Sequence, residues 1–499
     1  MSGCQLSDGI LNCIEHGKGP AIIVEQGSLS WSYMASAISE LKSAVAPDGH
    51  GGGFSVGIVT RNRAPHLALF AAAFALRHCY VALSPMFADQ DLALDIESLG
   101  LHVVAASRDD LSRSGVMDAA ITSGAAVIEL SDDPKRPLRV LREMKPGRNL
   151  PDRSGVAVAM LTSGTTGPPK RISLTYDNLD AALGQAGPVK RSGRTKESTV
   201  LRPALVWHPI GHISGAAFVV DALSSGRPII LMERFDPERW AFYIERYEVR
   251  LAQVNPTAMR MILDADIDPS RLSSLRYVRG GTTGTPPQLQ EAFESRFQVP
   301  FMTTYGATEF AGAVASWSPE DYLRYGKSHR GSSGRAHPGV HLRTVDPESG
   351  RVLANGEQGV LEVLAPQSAQ GNGNWVRTTD LALIDEEGFL WIMGRVDDAI
   401  VRGGFKVHPG KVEWVLKEHP AVLDAAVVGI EDDRLGAVPA AAVVLRENID
   451  PPSESDLKVF VERRLARYEV PIRIVFVDTL PLTLSMKVSR PALRALFSS

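Results

Sequence analysis

Short apolar runs alternate with amphipathic stretches along most of the chain. Strand-like runs occupy 54–60, 80–84 and 101–105, and helix-like stretches occupy 64–78 and 91–99. The same alternation returns in strand-like runs at 200–207, 251–254 and 275–278 and in helix-like stretches at 237–247 and 287–297. Strands separated by helices predict an α/β fold of mostly parallel sheets with helices on both faces. Ligands in such folds gather at the carboxyl ends of the strands.

The pattern changes near Arg395, where a short polar turn (396–398) begins. The last hundred residues have runs of their own, which are strand-like at 425–428, 440–445 and 472–476 and helix-like at 455–465. We therefore predict two domains. Residues 1–395 form a large N-terminal domain of helix-covered, mostly parallel sheets, and residues 396–499 form a small α+β C-terminal domain.

A segment rich in Ser, Thr and Gly (161–170, Leu-Thr-Ser-Gly-Thr-Thr-Gly-Pro-Pro-Lys) follows the buried strand-like run 156–161. Its hydroxyls and the backbone N–H groups beside its glycines suit the phosphates of a nucleotide. P-loop NTPases have Gly-Lys-Ser/Thr entering a helix, whereas Lys170 follows two prolines, which argues against that class. A surface loop is the commoner explanation of such a composition, so the assignment depends on the rest of the chain.

Composition narrows the function classes. The 499 residues include 53 basic and 57 acidic side chains, a net charge of −4 that does not favour binding to nucleic acid or to an anionic membrane. Cys4, Cys13 and Cys79 have neither metal-ligand spacing nor an even number for disulfides, which favours a reducing cytoplasm. The longest apolar run, 67–76, is half of the roughly 20 residues that a membrane span requires. We expect a buried helix there, and no signal peptide is visible at the N-terminus.

Residues 161–170 closely resemble the signature loop of the adenylate-forming superfamily, which includes acyl- and aryl-CoA ligases, peptide-synthetase adenylation domains and luciferases. Further motifs of that family follow in order: Tyr305-Gly-Ala-Thr-Glu309, Thr379-Asp380 with Gly394-Arg395, Gly403-Gly404-Phe405 with 407–413, and 481–487 ending in Lys487. The resemblance covers roughly residues 25 to 490. It implies ATP, Mg²⁺ and coenzyme A as cofactors and a C-terminal domain that rotates about a hinge at Asp397.

The resemblance also implies roles for individual residues. Lys487 would bridge the substrate carboxylate and the α-phosphate, where positive charge offsets the repulsion of two anions. Glu309 and Thr165 would hold Mg²⁺ and take part in catalysis. Tyr305 would stack on adenine, while Asp380 and Arg395 would hold the ribose. The residues implied in binding ATP or CoA are Thr162, Ser163, Gly164, Thr166, Gly167, Lys170, Gly281, Thr282, Thr283, Tyr305, Thr308, Asp380, Arg395, Gly403 and Gly404.

The acid pocket is implied by the same resemblance and is lined mostly by small residues. Its members are His212, Ile213, Ser214, Gly280, Thr304, Gly306 and Ala311, with Val314 beside them. Gly211 replaces the aromatic residue that is usual next to His212. Small side chains suggest a roomy pocket and favour an aryl or medium-to-long acyl acid over acetate. Arg279, beside the pocket, is more often an outward-facing strand residue, and its alternative role is to pair with a second carboxylate.

The chain departs from the family pattern at several positions. Met486 replaces the usual glycine before Lys487, and Arg171 and Tyr176 replace a usual glycine and a frequent histidine. Glu469 replaces a lysine near which the phosphates of CoA are expected to pass. Arginines 464, 467 and 473 lie nearby in sequence and offer compensating positive charge.

These features predict an ATP-dependent acid:thiol ligase, an acyl- or aryl-CoA ligase that forms an acyl-AMP and transfers the acyl group to CoA. Two alternatives stay open: an acyl-AMP ligase that loads a carrier protein, and a catalytically silent nucleotide- or acyl-binding protein. The expected partners are a small-molecule carboxylic acid and CoA, with a carrier protein as an option. We expect a cytoplasmic monomer or homodimer without nucleic-acid binding or a membrane span.

Overall fold

The computed structural model describes residues 5–45, 53–146, 150–162, 170–186, 201–281, 285–371, 373–396, 399–446, 449–482 and 488–498. Helices and strands are numbered in chain order. The helices are α1 (Gln5–His16), α2 (Trp31–Val45), α3 (Ala64–Ala75), α4 (Asp89–Ser98), α5 (Arg108–Leu111), α6 (Val116–Thr122), α7 (Tyr176–Ala186), α8 (Ile213–Ser224), α9 (Pro237–Tyr247), α10 (Pro256–Asp264), α11 (Pro287–Phe297), α12 (Pro319–Tyr325), α13 (Pro409–Lys417), α14 (Glu454–Glu462) and α15 (Arg490–Ala495). No helix in these ranges is both long enough and apolar enough to cross a membrane.

The strands form several separate sheets. They are β1 (Pro20–Val24), β2 (Gly27–Ser30), β3 (Ser55–Val59), β4 (Cys79–Leu83), β5 (Val103–Ser107), β6 (Ala126–Leu130), β7 (Leu138–Arg142), β8 (Val156–Thr162), β9 (Lys170–Thr175), β10 (Ala204–Val206), β11 (Ile229–Leu231), β12 (Leu251–Gln253), β13 (Tyr277–Gly280), β14 (Phe301–Ala307), β15 (Gly312–Ser316), β16 (Arg335–Ala336), β17 (His341–Val345), β18 (Gly359–Leu364), β19 (Val376–Ile384), β20 (Leu390–Arg395), β21 (Ile400–Arg402), β22 (Phe405–Val407), β23 (Val422–Asp432), β24 (Gly436–Leu445) and β25 (Arg473–Phe476).

Local signals set several helix ends. The helices α9 and α10 begin at prolines, which fit the first helical position because the missing N–H is not needed there. The preceding Asp236 and Asn255 accept hydrogen bonds from the backbone N–H groups of Arg239 and Ala258. Such caps satisfy backbone donors that have no partner within the helix. The bounds of α9 and α11 coincide with the predicted ones, whereas the predicted strand 200–207 is shorter, as β10.

A seven-stranded sheet in the order β7-β6-β5-β3-β4-β8-β9 forms the first large layer. Its central strands are parallel, and the edge strands β7 and β9 are antiparallel to their neighbours. Apolar side chains project from both faces of this sheet. Ile58 packs in one core cluster with α2 and α3, and Val59 packs in another with α4 and α6. The apolar run 67–76 is indeed a buried helix, because α3 is buried from Pro65 to Ala75.

A five-stranded sheet in the order β12-β13-β14-β15-β16 has three parallel strands followed by two antiparallel ones. A four-stranded sheet, β10-β11-β1-β2, is parallel except at β2. These layers confirm the predicted α/β class with its mostly parallel sheets.

The sheet β17-β18-β19-β20 is antiparallel throughout, which the helix and strand alternation did not predict. The described residues that connect its strands form no helix, whereas parallel neighbours usually need a helical crossover. The hairpin between β19 and β20 turns at residues 385–389. This sheet carries Asp380 and Arg395, so it supplies part of the candidate site.

The C-terminal segment folds around a mixed sheet, β22-β21-β24-β23, to which β25 adds in parallel on β24. The helices α13 and α14 pack on one face and α15 packs on the other, each with its own apolar cluster. This is the smaller α+β unit that the sequence predicted. The domain boundary at 395/396 and the mobility of the unit stay predictions.

Candidate active site

The predicted phosphate loop connects two antiparallel strands at the edge of the seven-stranded sheet. Thr162, at the end of β8, lies opposite Lys170, at the start of β9, and its hydroxyl donates to the Lys170 carbonyl oxygen at 3.1 Å. The intervening candidates Ser163, Gly164, Thr165, Thr166 and Gly167 lie outside the described residues. The two ends of the loop are therefore held side by side, as a tight loop requires.

Arg171 anchors the strand that leaves this loop. Its guanidinium donates to the carbonyl oxygen of Ala82 at 2.7 Å and to the Asp95 carboxylate at 2.7 Å. The arginine that departs from the family pattern thus ties β9 to β4 and α4. In addition, β9 contacts the short 3-10 turn Thr308–Phe310, so the phosphate hairpin lies beside the segment that contains Glu309.

Three polar residues from three strands meet where the sequence predicted the nucleoside. Tyr305 on β14 donates its hydroxyl to the Asp380 carboxylate of β19 at 2.5 Å. Asp380 faces Arg395 of β20 across the hairpin, with 4.0 Å between Arg395 Nε and Asp380 Oδ1. The Arg395 guanidinium also hydrogen-bonds the Thr379 hydroxyl. Burial, followed by the negative charge of Asp380, raises the pKa of Tyr305 well above its usual value, so the phenol stays a donor at neutral pH.

The Asp380 carboxylate is partly accessible in this arrangement. One carboxylate oxygen is held by Tyr305, and the side chain is 22% exposed. A carboxylate has about four acceptor sites, so it can take hydrogen bonds from a diol such as ribose. Tyr305 itself is only 8% exposed. The structure therefore defines its hydroxyl contact with Asp380, and its stacking on adenine stays a prediction.

Glu309 lies in the 3-10 turn that follows β14, with Thr308 just before it. The turn is closed by Ala311, whose φ is +51°, and the Glu309 carbonyl oxygen accepts from the Ala369 N–H at 2.8 Å. The partly buried carboxylate has no ion-pair partner within the described part of the chain. Such a carboxylate suits a cation, which fits the predicted Mg²⁺ site. Thr165, the other predicted ligand, is outside the described residues.

Glycines at the predicted acid pocket are packed tightly against their neighbours. A Cβ at Gly280 would lie 2.2 Å from the Phe301 ring, and one at Gly306 would lie 2.0 Å from the Gly312 carbonyl oxygen. A Cβ at Gly211 would lie 2.6 Å from the Thr60 hydroxyl. The small residues are thus required by close packing, and a roomy pocket does not follow from them.

The helix α8 begins with Ile213 and Ser214, directly after His212. Ile213 packs in the same apolar cluster as Ala311, and α8 contacts β15, which contains Val314. The two segments therefore lie beside each other, and their role as an acid pocket stays a prediction. His208, four residues earlier, is buried against Trp207, and burial, with the neighbouring His212, lowers the pKa of His208 to about 3.

Asn62 holds the chain that leads to His212. Its amide N–H groups donate to the carbonyl oxygens of Trp207 and His208 at 3.0 Å, and its amide oxygen accepts from the Ile210 N–H at 3.0 Å. Asn62 follows β3, at the carboxyl end of that strand, and is 7% exposed. Sequence reasoning missed it, because a single Asn after a strand is also typical of an ordinary loop.

Gly403 and Gly404 form the two-residue turn between β21 and β22, with φ of +55° and +89°. Positive φ at both positions is the requirement of a tight hairpin turn, which glycine meets without strain. A turn therefore explains both residues, and their place beside a CoA tunnel stays a prediction.

Glu469 is not a free anion. It is 3% exposed, and both of its carboxylate oxygens accept from the Lys411 ammonium, at 2.8 and 3.0 Å. Its charge is paired internally with Lys411, and the passage of the CoA phosphates near this segment stays a prediction. Arg467 is exposed next to it. Gly281 directly follows β13, and a Cβ there would collide with the Thr304 side chain. The remaining predicted residues lie outside the described residues: Thr282, Thr283, Asp397 and Lys487.

Known proteins resemble the chain over nearly its whole length. The AMP-binding enzyme family model matches residues 12–371, and the AMP-binding enzyme C-terminal domain model matches residues 411–487. The 2-succinylbenzoate–CoA ligase of Geobacillus kaustophilus is 34% identical over 359 residues, which are 69% of this chain and 70% of that protein.

Solved structures show the same fold. The amide bond synthetase McbA from Marinactinospora thermotolerans superposes with a TM-score of 0.80 at 26% identity, covering 99% of this chain and 100% of that one. The o-succinylbenzoate CoA synthetase from Bacillus subtilis, in complex with its acyl-adenylate intermediate, has a TM-score of 0.78 at 25% identity, covering 98% and 97%.

Proposed function

Because the chain belongs to the AMP-binding enzyme family, we propose that it is an ATP-dependent ligase that forms an acyl-AMP and transfers the acyl group to coenzyme A. The resemblance predicted from the motifs is thereby confirmed. The observation that carries the proposal is the meeting of Tyr305, Asp380 and Arg395. These residues come from three strands and converge on one partly exposed carboxylate.

In the first half-reaction, an oxygen of the substrate carboxylate attacks the α-phosphorus of ATP. The new P–O bond forms as the bond to the β-phosphate breaks, so pyrophosphate leaves. Asp380 would hold the ribose hydroxyls, and Thr162 and Lys170 would flank the phosphates. Lys487 would offset the negative charge that develops between carboxylate and phosphate. Glu309, with Thr165, would hold Mg²⁺, which when bound neutralises charge on the phosphate oxygens.

In the second half-reaction, the thiol attacks the acyl carbonyl carbon, and AMP leaves as the thioester forms. Lys487 has to make way for the thiol, so we propose rotation of the C-terminal domain about Asp397, with Gly403 and Gly404 beside the arriving pantetheine. Arg467 would contact the phosphates of CoA, and the negative charge of the neighbouring Glu469 is paired with Lys411.

The identity of the acyl acceptor is the part of the proposal that has specific alternatives. The amide bond synthetase resembles this chain over its full length, and acyl-AMP formation is equally compatible with an amine or a carrier-protein thiol as acceptor. We propose a cytoplasmic location, where ATP and CoA are supplied. Cys13 and Cys79, the described cysteines, are both free thiols, as a reducing compartment requires.

The test is pyrophosphate release with ATP, Mg²⁺ and a library of aryl and medium-to-long-chain acids. For each acid that releases pyrophosphate, product formation is then measured with CoA, with a phosphopantetheinyl carrier protein and with an amine. We expect a CoA thioester with at least one acid, at a rate well above those of the other acceptors. Pyrophosphate release without any CoA thioester would transfer the assignment to a carrier-protein or amine acceptor. No release with any acid would favour a silent binding protein.

A further inference from the structure

A histidine and two carboxylates meet at the closed end of the β19–β20 hairpin, outside the candidate active site. His329 lies between α12 and β16, and Asp385 and Glu387 lie in the turn of the hairpin. The Nε2 atom of His329 is 3.6 Å from Asp385 Oδ2 and 4.0 Å from Glu387 Oε2, and the three atoms all lie within 4.8 Å of one another. We call these three residues the hairpin cluster.

The spacing within the hairpin cluster is too long for direct hydrogen bonds and suits a shared ion. An N–H···O hydrogen bond needs about 2.7–3.2 Å between its heavy atoms. Two ligands that each bind one zinc ion at about 2.1 Å are separated by roughly 3 to 4 Å. The Glu387 side chain is 49% exposed, so it is free to make the small movement that brings all three atoms to this spacing.

The negative charge of the hairpin cluster is not balanced by lysine or arginine. No such side chain among the described residues is within ion-pair distance of Asp385 or Glu387. The neighbouring Arg330 pairs instead with Glu291 and Glu294, at 3.0 and 3.1 Å. Two carboxylates held beside each other repel unless a cation lies between them. Together with a neutral imidazole, they match the charge of one divalent ion.

The imidazole of His329 is oriented to bind a cation. The Ser328 hydroxyl donates its one proton to the Tyr325 carbonyl oxygen at 3.2 Å, so it accepts from His329 Nδ1, which is 2.8 Å away. The lone pair of a neutral ring is then on Nε2, the atom next to the two carboxylates. A hydrogen bond at one ring nitrogen that leaves the other nitrogen to the metal is the usual arrangement of a histidine ligand.

The Asp385 carboxylate is held in place by its own hairpin. Its Oδ1 accepts from the Phe389 N–H at 2.8 Å, and its Oδ2 accepts from Trp391 Nε1 at 2.7 Å. The His329 ring packs on Phe389, with 4.5 Å between the ring centroids. A carboxylate has about four acceptor sites, so these two hydrogen bonds still allow Oδ2 to bind an ion. Outer hydrogen bonds of this kind orient metal ligands.

We propose that the hairpin cluster binds one divalent transition-metal ion of the Zn²⁺ class through His329 Nε2, Asp385 Oδ2 and Glu387 Oε2, with water completing the coordination. An imidazole ligand favours zinc, copper or nickel over Mg²⁺, which prefers oxygen ligands. The ion would join the segment after α12 to the closed end of the hairpin, whose open end carries Asp380 and Arg395. The site is separate from the predicted Mg²⁺ site and does not depend on the proposed ligase activity.

The experiment titrates the metal-depleted, full-length protein with ZnCl₂ by calorimetry, in excess Mg²⁺ so that sites with only oxygen ligands are filled. Two variants remove a ligand: His329→Gln, and Glu387→Gln, which changes an exposed side chain outside the core. The matched controls are Glu386→Gln, an exposed carboxylate in the same turn, and His341→Gln, an exposed histidine in the same sheet. Thermal melting without zinc establishes that each variant is folded, and melting with zinc measures stabilisation.

We expect wild type to bind a single zinc ion and to melt at a higher temperature with zinc, because a ligand that binds only the folded state stabilises it. His329→Gln and Glu387→Gln should each weaken zinc binding about ten- to a hundredfold, and both controls should bind as wild type does. Wild-type affinity in either ligand variant overturns the inference, since the assigned residues would not hold the ion. Absence of zinc binding by wild type also overturns it and leaves a protonated His329 paired with the two carboxylates.

Discussion

The two ends of the candidate site are built on different principles. At the nucleotide end, Asp380 is already held by Tyr305 and faced by Arg395, so its polar groups are paired before any ligand binds. At the acid end, neighbouring atoms occupy the space that a side chain at Gly280 or Gly306 would need. Arg279 has no carboxylate partner among the described residues. The nucleotide end is therefore held by polar contacts, and the acid end is shaped by close packing.

The two ends of the site should respond differently to amino-acid substitutions. A preorganised site loses little conformational entropy on binding. Substitutions at the nucleotide end should therefore weaken ATP binding strongly and specifically. An acid pocket shaped by close packing should respond to substitutions by loss of stability, with substrate choice depending on a few polar groups. The predictions below separate these behaviours.

The largest effect should come from Lys487, which we propose to act between the substrate carboxylate and the α-phosphate. Lys487→Ala should reduce acyl-AMP formation about a hundredfold or more, because one key electrostatic contact to the transition state is lost. Pyrophosphate release measures the first half-reaction, and transfer from presynthesised acyl-AMP to CoA measures the second, which should persist. Near wild-type adenylation would mean that another residue supplies the charge.

At the nucleotide end, Asp380→Asn should raise the KM for ATP about ten- to a hundredfold, since the amide keeps the shape but loses the charged acceptor. The KM for the acid should change little. The control is Glu386→Gln, which neutralises an exposed carboxylate on the same hairpin. Equal effects on ATP and acid would show that the two ends are not independent.

At the acid end, Gly306→Ala should destabilise the protein by about 2 kcal/mol, because the added Cβ meets the Gly312 carbonyl oxygen and forces the strands apart. Gly184→Ala is the matched control, since it lies in α7 with no atom within 4 Å of the new Cβ. Its helix should gain roughly 0.5–1 kcal/mol. Denaturant unfolding measures both, and an undestabilised Gly306→Ala protein would contradict the close packing found here.

The smallest effect concerns pH. Burial holds the folded-state pKa of His337 at about 4, below its unfolded value of 6.5, so the unfolded state binds a proton first as pH falls. The stabilising contribution of neutral His337 is complete above pH 6.5 and is lost as pH falls towards 4. By pH 5 the loss in unfolding free energy should be about 2 kcal/mol. His337→Gln should flatten the loss of unfolding free energy between pH 7 and 5. Ser316→Ala, which removes the hydrogen bond to His337 Nε2 but no titrating group, should keep the wild-type slope.

Local sequence signals determined much of the fold. The alternation of apolar and amphipathic stretches predicted the α/β class, and proline starts fixed α9 and α11 to the residue. The ordered motifs identified the family, and they placed Tyr305, Glu309, Asp380 and Arg395 in one site before any contact was known. Such features depend on neighbours a few residues apart, so they are visible along the chain.

Only the tertiary structure decided which groups neutralise or exclude each other. The pairing of Glu469 with Lys411 is not visible along the chain, and the atoms facing Gly280 and Gly306 removed the inference of a roomy pocket. The anchoring by Asn62 likewise depends on residues far away in sequence. Strand register and side-chain packing create these contacts over long sequence separations, where composition and spacing carry no distance information.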